Sequence, residues 1–165
     1  MSYNSRTLPS REALARVHKS SHHAIDVSGA DLVLNLITTA DLIRANIYTQ
    51  LAKDYDVSEG KFALLMWLYS EGETCTSELA QKVGVTSATI SVMVKRMLAA
   101  PEPLICMSKS GNDGRSRLIT LSEAGVKLIQ KALPQHIEAV QAFADVLNAE
   151  ERESLISMLR KLLRK

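Results

Sequence analysis

Ser77-Glu78-Leu79-Ala80-Gln81-Lys82-Val83-Gly84-Val85-Thr86, followed at once by Ser87-Ala88-Thr89-Ile90-Ser91-Val92-Met93-Val94-Lys95-Arg96-Met97, reads as two short helices joined by a tight turn. Ala80, Gly84 and Ile90 carry that reading. A small residue lets two helices approach. Glycine takes a left-handed turn without a Cβ clash. A branched residue on the second helix locks against the first. A unit of this kind presents its second helix to a DNA major groove.

Helical spacing sorts the second helix into two faces. Ile90, Met93, Val94 and Met97 recur at three- and four-residue steps and are expected inside. Ser87, Thr89, Ser91 and Lys95 then point outward, and Thr86 is placed to cap the first turn. Hydroxyls followed by a cation suit base edges and phosphates. A solvated helix face with ordinary capping is the competing reading.

Downstream, Leu104-Ile105-Cys106-Met107 and Leu118-Ile119-Thr120-Leu121 read as the strands of a hairpin. Its tip, residues 108–117, holds Lys109, Arg115 and Arg117 against the single carboxylate of Asp113, with Gly111, Asn112 and Gly114 to make the turn. Three cations on one turn, directly after a helix-turn-helix, read as a wing that reaches phosphates or the minor groove.

Residues 57–125 resemble the winged helix-turn-helix core of MarR-type transcriptional regulators. The resemblance rests on Ser77-Glu78-Leu79-Ala80 leading to Gly84-Val85-Thr86, on Asp113-Gly114-Arg115, and on Leu121-Ser122-Glu123-Ala124-Gly125. It extends more weakly over residues 31–165. It implies that Arg115 enters the minor groove with Asp113 orienting it. It also implies a homodimer with both chain ends in its interface, and a cleft for small aromatic compounds. Three features depart from the family pattern. Ala99-Ala100-Pro101-Glu102-Pro103 replaces a glycine-containing junction, Cys106-Met107 replaces a basic pair, and Gly114 replaces the middle residue of Asp-Arg-Arg.

The remaining chain frames this core. Its 165 residues and net charge of +2 fit one soluble domain with added helices, and no apolar run is long enough for a membrane. The N-terminus lacks the pattern of a secretory signal, and two cysteines make no disulfide framework, so the expected location is the cytoplasm. From Thr86 to Ile119, five cations against Glu102 and Asp113 leave +3 on the segment expected to face DNA. Residues 11–17 suggest a short helix, with basic side chains at Arg6, Arg11, Arg16 and Lys19. His18, His22 and His23 lack a carboxylate or cysteine at ligand spacing, so no metal is assigned. Asp31–Asp54 reads as one long helix, with a stripe of Leu32, Leu36, Ala40, Ile43, Ile47 and Leu51. In the next helix Phe62, Leu65, Met66 and Tyr69 are expected inside, with Trp67 and Leu68 widening the face, and Thr74-Cys75-Thr76 suggests a short strand. Ser122 caps a long helix kinked at Pro134, and Asn148 with Glu151 opens a last helix with Leu155, Met158, Leu159 and Leu162 as its buried face.

The fold expected is mostly α: an α+β winged helix-turn-helix with a small antiparallel wing, and long N- and C-terminal helices forming a dimerisation region. Residues 1–29 are an N-terminal extension, 30–56 and 122–165 the helical dimerisation region, and 57–121 the DNA-binding domain. The expected contacts to double-stranded DNA are Thr76, Ser77, Thr86, Ser87, Thr89, Ser91, Lys95, Lys109, Asn112, Asp113, Arg115 and Arg117. Ile47, Tyr48, Leu51, Met66 and Trp67 are candidates for an aromatic effector's cleft, against the plainer reading that they fill core. Cys75 and Cys106 are placed as possible neighbours on the wing sheet, able to serve a redox switch, with inert buried thiols as the alternative. No phosphate loop or nucleophile set supports an enzyme or a cofactor. A winged helix that binds protein instead of DNA is the remaining alternative to a repressor.

Overall fold

The computed structural model describes residues 8–20, 26–109 and 117–164, with the side chains of 18–20 and 109 left undescribed. His22, His23, Asn112, Asp113 and Arg115 lie outside the described residues. The chain forms two compact units, residues 1–50 and 51–165.

In the first unit, α1 (Arg11–Ser20) packs on α2 (Val27–Ile43), tied by an ion pair between Arg11 and Asp31. Asp26 caps α2, accepting from the Ser28 amide at 2.9 Å and from the Ser28 hydroxyl at 2.7 Å. The helix therefore starts at Val27, upstream of the expected Asp31. It is not a single α-helix to Asp54: Arg44–Tyr48 form a π-helical turn before α3 (Thr49–Tyr55). No residue of α2 is buried, and Leu32, Val33 and Ile37 of its apolar surface are exposed.

The second unit is built around α4 (Glu59–Glu71), capped by Ser58. It packs against α5 (Thr76–Val83), α7 (Glu123–Ala144) and β3 (Arg117–Leu121). Phe62, Leu64, Leu65 and Leu68 are buried, whereas Trp67 and Tyr69 are exposed and Met66 is half-buried. The expected stripe through Met66 and Tyr69 is therefore wrong. A helix touched by three neighbours buries more than one face, and a single-stripe reading misplaces its rim.

β1 (Thr74–Cys75), β2 (Ile105–Lys109) and β3 make one antiparallel sheet in the order β1-β3-β2. Thr74 faces Ile119 and Cys75 faces Leu118 across one edge; Ile105 faces Leu121 and Lys109 faces Arg117 across the other. Ile105 and Ile119 point into the core. β2 runs from Ile105 instead of Leu104, because Leu104 is held by the start of α7. Its carbonyl accepts the Ser122 amide at 3.1 Å, and the Pro103 carbonyl accepts the Ser122 hydroxyl at 2.6 Å. A Cβ on Gly125 would lie 2.0 Å from the same Leu104 oxygen, so only glycine permits this approach.

Ser122 also caps α7, which contains Pro134 and continues as one helix to Ala144. Asp145 accepts from Arg152 at 2.9 Å and from Gln141 at 2.6 Å across the turn into α8 (Ala149–Leu163). Asn148 and Glu151 form a reciprocal capping box at 2.9 and 3.0 Å. The expected buried face of α8 is not covered within one chain: Leu155, Met158 and Leu162 are exposed. Among the described residues, no helix is long and apolar enough to cross a membrane.

Candidate nucleic-acid interface

α5 and α6 (Ser87–Leu98) meet as a helix-turn-helix. Gly84 adopts φ 74°, ψ 33°, the left-handed position that ends α5, and Val85 returns its amide to the Ala80 carbonyl at 3.0 Å. Ala80 and Ile90 are buried. α5 is anchored by a chain of polar contacts. The Thr74 hydroxyl donates to Glu78 at 2.7 Å, Lys82 pairs with Glu78 at 3.1 Å, and the Lys82 ammonium sits 5.1 Å from the Trp67 ring centre. The Thr74 hydroxyl, and then Lys82, hold the Glu78 carboxyl below the usual carboxylate range.

On α6, Ile90, Val94 and Met97 are buried and Met93 is half-buried, while Ser87, Thr89, Ser91 and Lys95 are exposed. Thr86 caps the helix, accepting from the Thr89 amide at 3.1 Å. Its hydroxyl also shares a 2.9 Å hydrogen bond with that of Thr89, and Ser91 donates to the Ser87 carbonyl at 2.7 Å. These hydroxyls are oriented by the helix itself, and those of Thr89 and Ser91 each keep at least one lone pair for a further donor.

Four of the expected contacts come together. Thr76, Ser91, Lys95 and Arg117 line one crevice of about 500 Å³ between α6 and the wing strands, floored by Val94, Leu98 and Met107. The Arg117 guanidinium lies 3.8 Å from the Met107 sulfur. Lys109 and Arg117 face one another in register, so both strands enter the tip with a cation. Sequence reasoning passed over Val92, which is 50% exposed on α6. Its spacing, three residues from both Thr89 and Lys95, was the available signal.

The remaining candidates lie elsewhere. Ile47 and Leu51 are buried; Tyr48 is half-buried. Cys75 and Cys106 are not neighbours, because β3 lies between their strands. Two strand spacings of about 4.8 Å exceed the reach of a disulfide. Nor are they buried thiols: Cys75 is half-buried and Cys106 exposed. Cys75 precedes α5, and its thiol is pushed down by a hydrogen bond with Ser77 and by the first amides of the helix.

The MarR family profile matches residues 57–116. An uncharacterised HTH-type transcriptional regulator of Bacillus cereus is 31% identical over 111 residues, which cover 67% of this chain and 72% of that protein. The chain belongs to the MarR family. The HTH-type transcriptional repressor NicR of Pseudomonas putida is 29% identical over 117 residues, covering 71% of this chain and 73% of NicR. Among solved structures, a MarR family transcriptional regulator from Streptomyces coelicolor, in complex with DNA, superposes with a TM-score of 0.78. It is 20% identical and covers 87% of this chain and 90% of its own, a likeness of fold. The MarR profile takes in α4, the helix-turn-helix and β2, and so every residue that lines the crevice except Arg117 of β3.

Proposed function

We propose that this MarR-family chain is a sequence-specific DNA-binding transcriptional regulator, a repressor, which acts as a homodimer on pseudo-palindromic DNA under control of a small aromatic effector. The crevice shared by Thr76, Ser91, Lys95 and Arg117 carries the DNA reading. It sets hydroxyls and two cations along a gap between an exposed helix face and the wing, a shape and charge that a phosphate backbone fits. Ser87, Thr89 and Val92 then face base edges, with the Val92 methyls suited to a thymine methyl, while Lys95 meets a phosphate. Thr86 and Ser77 flank this face. Lys109, Asn112, Asp113 and Arg115 belong to the wing, where Arg115 reads the minor groove and Asp113 orients it.

The homodimer is supported by apolar surface that one chain leaves open: Leu32, Val33 and Ile37 on α2, Ile137 and Val140 on α7, and Leu155, Met158 and Leu162 on α8. NicR, a relative named as a repressor, supports that role. A regulator that meets DNA in this way works in the cytoplasm and needs no catalytic group.

Selection of bound duplexes from a randomised pool, followed by sequencing, tests the reading. Enrichment of an inverted repeat with half-site centres about 34–36 Å apart is expected. Binding without enrichment that vanishes at moderate salt would reduce the interface to non-specific phosphate attraction.

A further inference from the structure

The outward side of α6 is apolar at its crest. Ile90, Val94 and Met97 fix the buried stripe of the helix. At about 3.6 residues per turn, the line opposite that stripe runs between Ala88 and Val92. Both are exposed, Val92 by 50%. Standing four residues apart, they share one face, and their methyls are separated by about 6 Å along the helix axis.

The polar groups around this crest do not choose a base. Ser91 donates its proton to the Ser87 carbonyl at 2.7 Å, and the Thr86 and Thr89 hydroxyls share one hydrogen bond at 2.9 Å. Serine and threonine hydroxyls also meet donors and acceptors on any base edge. Purines are picked out by paired hydrogen bonds, from arginine or lysine to guanine and from asparagine or glutamine to adenine. The exposed residues of the stretch Thr86–Val92 include none of these four types. Further along, Lys95 lines the crevice that suits a phosphate. Arg96 borders the hollow shared with Ala100, Pro101 and Glu102, on the other flank of the crest.

What remains at the crest is methyl. In the major groove the 5-methyl of thymine is the apolar feature of a base pair, and unmodified cytosine lacks it. Taking one methyl out of water contributes about fourfold in affinity. The separation of the two crest residues spans roughly two base-pair steps of 3.4 Å. We propose that α6 selects its site by the 5-methyl groups of pyrimidines. Ala88 and Val92 each pack on one methyl, and the helix does not separate thymine from 5-methylcytosine. This inference rests on the DNA-binding reading above and names the chemical feature of DNA that it recognises. The target class is duplex DNA with two 5-methylpyrimidines in each half-site, thymines where the DNA is unmodified.

The test starts from a duplex selected out of a randomised pool by the wild-type protein. Each thymine is replaced in turn by deoxyuridine, which keeps the base pairing and removes only the methyl. Fluorescence anisotropy then reads the affinity. Two thymines per half-site should each lose about fourfold on replacement. At one of them Val92→Ser should bind the uracil and thymine duplexes equally, and at the other Ala88→Ser should do so. Circular dichroism and a thermal melt check that both variants fold. A 5-methylcytosine–guanine pair at either position should bind within about twofold of the thymine duplex, whereas unmodified cytosine should lose as much as uracil. Uracil duplexes that bind as tightly as thymine duplexes overturn the proposal and leave the DNA reading standing. A uracil loss that persists unchanged in both folded variants does the same, and so does equal affinity for cytosine and 5-methylcytosine. A pool that yields no motif overturns the DNA reading itself, and this inference with it.

Discussion

Gly125 and His136 show what single side chains control. Gly125 lets α7 close on the Leu104 carbonyl, where a Cβ would sit 2.0 Å from the oxygen. Gly125→Ala should cost about 1–3 kcal/mol, the range for forced overpacking, read as a lower urea midpoint with an unchanged slope. His136 packs at a tilt of 54° against Phe62, with ring centres 4.5 Å apart, and burial pushes its imidazole pKa down. The unfolded histidine titrates near about 6.5. Below that value the unfolded chain takes up a proton that the folded chain resists. Stability is therefore complete above the unfolded pKa and is lost as pH falls through the lower folded pKa. The melting temperature should drop between neutral pH and pH 5, and His136→Phe should flatten that part of the curve. An equal drop in the variant would assign the acid sensitivity to other groups. At this scale the caps at Thr86, Ser122 and Asn148 were legible in the sequence, because each bonds within one turn of itself, whereas the Asp26 cap of α2 was not. The reason for Gly125 was not, since its neighbour Leu104 is distant in sequence.

At the scale of elements, the proposed recognition divides between α6 and the wing strands. Lys95 and Arg117 line the crevice that suits a phosphate backbone, whereas Val92 stands exposed on the helix. Lys95→Ala should lower the slope of log affinity against log salt by about 0.9, one phosphate contact, with little change in preferred sequence. Val92→Ser should do the reverse, changing base preference at one position with the same salt slope. A shift of salt slope in Val92→Ser would move that residue out of the groove-reading set. The helix-turn-helix was legible because its signals are local: Ala80, Gly84, Thr86 and Ile90 span little more than two helical turns. The sheet was only half legible. Both wing strands and the Thr74–Cys75 strand follow from β-branched and turn residues, but their order does not. Placing β3 between Cys75 and Cys106 is a long-range outcome of packing, and it separates two thiols that chain position alone brings together. The π-helical turn at Arg44–Tyr48 left no periodic trace, since one extra residue in a turn shifts the pattern only after it has passed.

For the whole molecule, the unfinished surface is the informative one. α8 has no buried residue within its own chain, yet Leu155, Met158 and Leu162 recur on it at helical steps. Sedimentation equilibrium should find a dimer in the wild type. Met158→Glu, which sets a charge amid that surface, should raise the dissociation constant at least tenfold and weaken DNA binding in parallel. A wild-type monomer would assign these residues another role. The amphipathic pattern made α7 and α8 readable as helices, but it is the same whether the apolar side meets another part of the chain or a second copy.

The bonds between Ser122 and the Pro103 and Leu104 carbonyls also bear on how the wing tolerates changes of length. It closes the hairpin at its base, so residues 105–121 form a loop whose ends stay fixed whatever lies between them. Lengthening such a loop costs little, since each doubling adds only about 0.6 kcal/mol of closure entropy. Insertion of a few residues at the tip should therefore leave the melting temperature nearly unchanged. Closure at Ser122 thus uncouples the length of the wing from the packing of the helix-turn-helix beside it.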